Sequence, residues 1–176
     1  MTTAVDQLSG IIDRILFENN QTGFYVFIIQ TKKFGSITAT GTLSSVHSGQ
    51  EIHVEGTWGF HPKFGRQFLV QRYTTKLPSS VAGIKKYLSS GFIKGIGPVY
   101  AEKIVDFFGE KTLEIIEENP DKISDIPGIG PKRIAQIKES WIDQKYIAKI
   151  MVFLQEKGVS STYATKIYKK YKNEAI

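Results

Sequence analysis

The sequence predicts a multidomain β-then-α protein: a small five-stranded, OB-like β-barrel over residues 1–78, then an all-helical array over residues 79–176. Three observations carry this. Up to residue 78 the chain holds five short β-branched and aromatic runs with no helical period between them. After Leu77-Pro78-Ser79-Ser80 the apolar spacing becomes helical. The second part also repeats itself: Gly95-Ile96-Gly97-Pro98 returns 33 residues later as Gly128-Ile129-Gly130-Pro131, and more weakly, 30 residues on, as Gly158-Val159-Ser160.

The first strand is expected over residues 9–18, with Asn19-Asn20-Gln21-Thr22-Gly23 as a turn. Residues 24–31 are apolar on both alternating sets, as in a strand buried on two sides. Residues 36–42 form a third run, in which Gly41 reads as a bulge or bend. In residues 50–58 Ile52 and Val54 alternate with His53 and Glu55, and in residues 66–75 Phe68 and Val70 oppose Leu69 and Gln71. Five strands in about 70 residues suit an oligonucleotide-binding barrel, although an SH3-like barrel has similar dimensions.

Ser79 or Ser80 suits the N-cap of the first helix. Aligning the glycine triplets places Ala101, Ile134 and Ala164 four residues past the last member, and Ile104, Ile137 and Ile167 seven past it. Each triplet therefore opens a helix with an apolar inner face. Each also closes an earlier amphipathic stretch: residues 81–89, residues 112–118 with 121–126, and residues 142–156. The unit is helix, tight glycine turn, helix.

The composition narrows the function classes. With 41% apolar residues the 176-residue chain can build a core, so it is not a disordered protein. No apolar run approaches a membrane span, and residues 1–6 do not read as a secretory signal. There is no cysteine, which removes disulfides, thiolate metal sites and cysteine nucleophiles, and a cytoplasmic protein fits. His47, His53 and His61 lack metal-ligand spacing and read as scattered surface residues; no metal site is expected. The net charge of +6, shared by both parts, permits a polyanionic partner.

The glycine turns carry the chemistry. One position in so short a turn needs positive φ, which glycine adopts without strain. Ile96 and Ile129 are expected to point inward, and Pro98 and Pro131 suit the first helical position, where no N–H is needed. The N–H groups exposed at that helix start form an anion site, and a phosphate of nucleic acid suits it. Candidate phosphate-binding residues are Gly128 and Gly130 with Lys132 and Arg133, then Gly95 and Gly97 with Lys94, then Gly158 and Ser160. In the third turn Ser160-Ser161-Thr162 replaces the last glycine and proline. That hairpin reads either as structural or as basic through Lys166, Lys169 and Lys170.

Gly95-Ile96-Gly97-Pro98 and Ile126-Pro127-Gly128-Ile129-Gly130-Pro131-Lys132-Arg133 resemble helix-hairpin-helix DNA-binding motifs. A barrel followed by such hairpins resembles the N-terminal region of long-form RecD-like helicases, of the RecD/TraA family in superfamily 1. Residues 87–97 and residues 56–68 also resemble that region, and the likeness extends over residues 9–176. It implies a DNA-binding accessory region of an ATP-dependent helicase, similar to the exodeoxyribonuclease V alpha subunit, acting in recombination and repair. The implied partners are single-stranded or forked DNA held without sequence preference, the motor domains of the same parent chain, and repair proteins. ATP and magnesium would belong to that motor, which is expected beyond residue 176, and this chain is expected to need no cofactor.

No ATP site is read here. The string nearest to Gly-x-x-x-x-Gly-Lys-Ser/Thr is Gly109-Glu110-Lys111-Thr112, with Ile104 where the first glycine would stand, and it reads as a helix-start loop. No catalytic constellation is found, and no enzyme is expected within these residues. On the barrel, Trp58, His61, Lys63, Phe64 and Arg66 are candidate single-strand contacts beside Phe60, since loop aromatics next to cations stack bases. The alternative has Trp58 and Phe60 closing the barrel end or docking against the hairpin part. A protein-docking module is the competing function: Lys132-Arg133 favours DNA, whereas the apolar Pro98-Val99-Tyr100 favours docking. A nuclease or repair subunit using the same hairpins is a third reading.

Overall fold

The computed structural model describes residues 4–159 and 163–175, without the side chains of Gln155 and Asn173. The chain divides into two compact units, Met1–Pro78 and Ser79–Ile176.

In the first unit β1 (Asp6–Asn19), β2 (Phe24–Thr31), β3 (Gly35–Thr42), β4 (Glu51–His61) and β5 (Gly65–Lys76) form a closed barrel in the order β1-β2-β3-β5-β4. The first half of β1 pairs with β4 and the second half with β2. β3 meets β5 in parallel at Ala39↔Phe68 and Thr40↔Leu69. This is the arrangement of an oligonucleotide-binding barrel rather than an SH3-like one. Ile12, Phe27, Ile29, Val54 and Phe68 point inward, and Leu43 and Val46 from the β3–β4 connection join them. Each such side chain contributes roughly 1.5–3 kcal/mol on burial.

Two strand details differ from expectation. β2 is buried on one face only: Tyr25, Phe27, Ile29 and Thr31 are inside, Val26 and Ile28 are half-buried, and Phe24 and Gln30 are exposed. Gly41 pairs regularly with Tyr25 and makes no bulge. A Cβ there would lie 3.0 Å from Val70 Cβ, so this glycine permits β3 and β5 to approach where the barrel closes. The register shifts fall in β1, at Ile12/Arg14 and Ile15/Phe17, and between Glu55 and Gly56 in β4.

The second unit holds α1 (Val81–Ser89), α2 (Pro98–Phe108), α3 (Thr112–Glu118), α4 (Pro131–Glu156) and α5 (Ala164–Tyr171). Ser80 caps α1, its hydroxyl accepting from the Gly83 N–H at 3.0 Å. Residues 120–125 form a 3-10 helix rather than a further amphipathic α-helix. Pro120 sets its start, and Ile123 anchors it in the core. Gly109-Glu110-Lys111-Thr112 is the turn into α3, with the Thr112 hydroxyl donating to the Gly109 carbonyl at 2.7 Å.

The first two hairpins share one core, in which Ile96 and Ile129 from the turns meet Ala101, Ile104, Ile134 and Ile137 from the helix faces. The third has its own, built from Ile147, Ile150, Leu154, Ala164 and Tyr168. A single 26-residue helix, α4, serves both: it leaves the second turn and enters the third. Its buried stripe continues from Ile134 through Ser140 to Leu154 while the core facing it changes. The Tyr168 hydroxyl donates to Asp143 at 2.7 Å, which pushes its pKa up to about 12 and ties α5 to the middle of α4.

Candidate nucleic-acid interface

In each turn the first glycine carries the positive φ: +92° at Gly95, +88° at Gly128 and +70° at Gly158. The second has a different task. Gly97 is extended, with φ −102° and ψ −175°, and caps α2 with Pro98 at its start. Gly97 and Gly130 have nothing within 4 Å of where a Cβ would stand. Each therefore leaves open space in front of a helix start, whose first N–H groups have no partner within the helix. Such a start favours an anion.

The cations are exchanged between hairpins. Arg133 does not stay beside its own turn. Its guanidinium lies over the Tyr100 ring at 3.8 Å and donates from Nη1 to the Gly95 carbonyl at 3.0 Å. In return Lys103 of α2 brings its ammonium 3.7 Å from the Cβ position of Gly128. Lys132 is exposed at the start of α4, and Lys94 is exposed just before the first turn. The first turn thus has Lys94 and Arg133, and the second has Lys132 and Lys103.

One stripe of α4 fixes the first turn. Besides Arg133, the buried Ser140 hydroxyl accepts from the Lys94 N–H at 2.9 Å, and the Gln144 amide donates to the Phe92 carbonyl at 3.2 Å. Gly95 packs closely there, since a Cβ would sit 3.1 Å from Ile137 Cγ1. Lys103, Tyr100 and Ser140 were not among the residues expected from sequence. A signal existed: Tyr100 and Arg133 both stand three residues past the second glycine of their repeats, and Lys103 and Gln136 six past it.

In the third turn Val159 is exposed rather than locked inward like Ile96 and Ile129. Ser160 lies outside the described residues. Lys166, Lys169 and Lys170 are exposed on α5.

In the barrel unit the β4–β5 hairpin gathers the expected residues, in two groups. Trp58 packs against the barrel core, edge-on to Phe68 at 5.2 Å, and the Arg66 guanidinium covers its face at 3.9 Å. Trp58 is thus half-buried between Phe68 and Arg66. Phe60 does not close the barrel, for it is 78% exposed, and Phe64 is 64% exposed. His61 shapes the tip: its Nδ1 accepts from the N–H groups of Lys63 and Phe64, at 3.1 and 3.3 Å, and its ring leans on Phe64 at 4.8 Å. Lys63 sits 5.4 Å from the Phe64 ring centroid. The open aromatic faces at the tip belong to Phe60 and Phe64, with Lys63 alongside.

The other two histidines are not all surface residues. His47 is half-buried in the β3–β4 connection, and loss of hydration lowers its pKa to about 4. His53 is hydrogen-bonded to the Ser9 hydroxyl at 2.7 Å. Among the described residues no group of three metal-ligating side chains comes together, and no helix is long and apolar enough to cross a membrane.

Comparison with known proteins follows the two-unit division. Residues 5–78 match the family model described as the OB-fold domain of ATP-dependent DNA helicase YrrC. Residues 85–143 match a SAM-like helix-hairpin-helix tandem, and residues 143–176 match the helix-hairpin-helix domain of ATP-dependent RecD2 DNA helicase. The ATP-dependent RecD2 DNA helicase of Deinococcus radiodurans is 23% identical over 177 residues, an alignment covering 97% of this chain and 24% of that protein. The chain therefore spans about a quarter of the length of this curated relative. Among solved structures, a chain of the S. pombe Stn1-ten1 complex superposes with a TM-score of 0.34 at 13% identity, covering 41% of this chain and 57% of that one.

Proposed function

We propose that this chain, similar from end to end to the OB-fold and helix-hairpin-helix domains of RecD2-type ATP-dependent DNA helicases, is the DNA-binding accessory region of such a helicase. The observation that carries the reading is the pair of glycine turns. Each places an unobstructed helix start beside cations supplied by both hairpins. A DNA phosphate entering there accepts hydrogen bonds from backbone N–H groups at the start of α2 or α4, while Lys132, Lys103 and Lys94 neutralise its charge. Arg133 acts differently: it holds the Gly95 carbonyl and Tyr100, which keeps the two turns in register. Nothing in this set reads a base edge, so binding is independent of sequence.

The barrel takes single-stranded DNA, with Phe60 and Phe64 as stacking platforms and Lys63 near the backbone. Together the two units suit forked or partly single-stranded DNA. ATP and magnesium chemistry belongs to motor domains of the parent protein, in recombination and repair in the cytoplasm, with repair proteins as further partners.

Docking onto protein is the second reading. It is favoured by Val99, 64% exposed at the start of α2 where a cation would serve DNA better. Fluorescence anisotropy on two unrelated duplexes and one single strand separates the readings. The DNA reading expects similar affinity for both duplexes and a steep fall with salt. No binding to any of the three at low salt would leave docking as the function.

A further inference from the structure

We propose that the barrel carries a second stretch of single-strand track in a groove on the outer surface of β1, β4 and the β2–β3 turn. The proposal rests on the reading that the barrel binds single-stranded DNA. The groove has a volume of about 730 Å³ and lies chiefly against β1, β4 and the end of β5; of the strand 2–3 face on which OB-folds take oligonucleotides, only Gln30 and Thr31 at the end of β2 border it. Lys32, Lys33 and Phe34 from the β2–β3 turn line it, as does Lys76 near the end of β5. Lys33 stands 5.0 Å from the Phe34 ring centroid, a flat apolar face with a cation beside it, which suits a stacked base followed by its phosphate. Gln30, Ser9 and His53 also line the groove; Ser9 and His53 are hydrogen-bonded to each other, and Gln30 Oε1 accepts from the Ser36 hydroxyl at 2.6 Å.

Two observations decide the occupant. The barrel is closed, so no sheet edge is open here for an extended peptide to join as an added strand. The charge also favours a polyanion: Glu51 lines the groove opposite Lys76 in the β4–β5 register, and Lys32 and Lys33 add two further cations. Phe34 links the groove to the inner part of the β4–β5 hairpin, because its ring meets Trp58 edge-on at 6.2 Å and Trp58 carries Arg66. A strand leaving Phe60 and Phe64 therefore passes Arg66 and Phe34 into the groove.

The test uses the whole chain and a thymidine oligonucleotide of about 16 nucleotides, the upper site size of an OB-fold. Lys32→Ala/Lys33→Ala should weaken binding by about three- to tenfold and reduce the salt slope by about 1.4, or 0.7 per lost contact. With 5-iododeoxyuridine in the strand, light should cross-link Phe34. The tip variant Phe60→Ala/Phe64→Ala is measured in parallel. If the tip variant weakens binding while the lysine variant does not and Phe34 stays unlinked, the groove is empty and the tip reading stands. If neither variant changes affinity and nothing in the barrel cross-links, both fall. Weakening by the lysine variant alone, with Phe34 linked, keeps the groove and removes the tip.

Discussion

Tyr100 and Arg133 occupy the same place in successive repeats, three residues past the second glycine, and stack on each other with the guanidinium 3.8 Å from the ring centroid. The contact crosses from one hairpin to the other, and the same guanidinium holds the Gly95 carbonyl. The two glycine turns are thereby joined by a pair of side chains, one from each hairpin.

Arg133→Ala should therefore cost stability as well as affinity, by about 1–2 kcal/mol for the lost hydrogen bond and stacking. Urea denaturation measures it. A double-mutant cycle with Tyr100→Ala should return a coupling of roughly 0.5–1 kcal/mol. Lys132→Ala should leave the urea midpoint unchanged and lower the duplex salt slope by about one. Equal stability losses for Arg133→Ala and Lys132→Ala would mean that the exchange of cations between hairpins is not what organises the turns.

The repeat made the hairpins legible because the glycine turn and the inner positions at Ala101, Ile104, Ile134 and Ile137 are local requirements. The partners of Arg133 and Lys103 were not legible, since which turn a long side chain reaches depends on how two repeats pack. The continuity of α4 was hidden for a related reason: its stripe faces one core as far as Trp141 and another from Tyr146. In the barrel, five β-branched and aromatic runs marked the strands and Trp58 could already be read as closing the barrel end, but Gly41 as a close approach became visible only once β3 and β5 were placed together.

Trp58 and Phe60 should separate stability from binding. Trp58→Ala removes a ring packed against Phe68 and Arg66 and should destabilise the barrel by about 2–4 kcal/mol. Phe60→Ala removes an exposed ring and should change stability by less than about 0.5 kcal/mol. Its affinity for a single strand should nevertheless fall, by about 1–3 kcal/mol if one base is unstacked. Thermal melts and anisotropy on the same samples check both. A single-strand affinity unaltered by Phe60→Ala would remove that ring from the interface.

His47 should make stability depend on pH. Its pKa is lowered to about 4 in the folded chain, from an ordinary value of 6.5. The unfolded chain therefore binds the proton more readily between those values. The contribution is fully present above pH 6.5 and is lost as pH falls towards 4, amounting to about 2 kcal/mol after allowance for partial solvent access. Urea midpoints at pH 7 and pH 4.5 should converge in His47→Asn relative to the unsubstituted chain. An equal drop in both proteins would assign the pH dependence to other groups.

The central claim is that phosphate is held by the helix starts behind Gly97 and Gly130, and Gly130→Asp tests it most directly. The site has open space and no positive φ, and Asp is a favoured N-cap, so the substitution should hold or raise stability by a few tenths of a kcal/mol. Its carboxylate would take the N–H groups meant for phosphate and repel the DNA. Gly130→Asn, which caps without the charge, is the companion. Measured by anisotropy on two unrelated duplexes, affinity should fall at least about tenfold for Asp and less for Asn, equally for both sequences, with the melting temperature unchanged or higher. Unchanged duplex affinity in a stably folded Gly130→Asp chain would contradict the account.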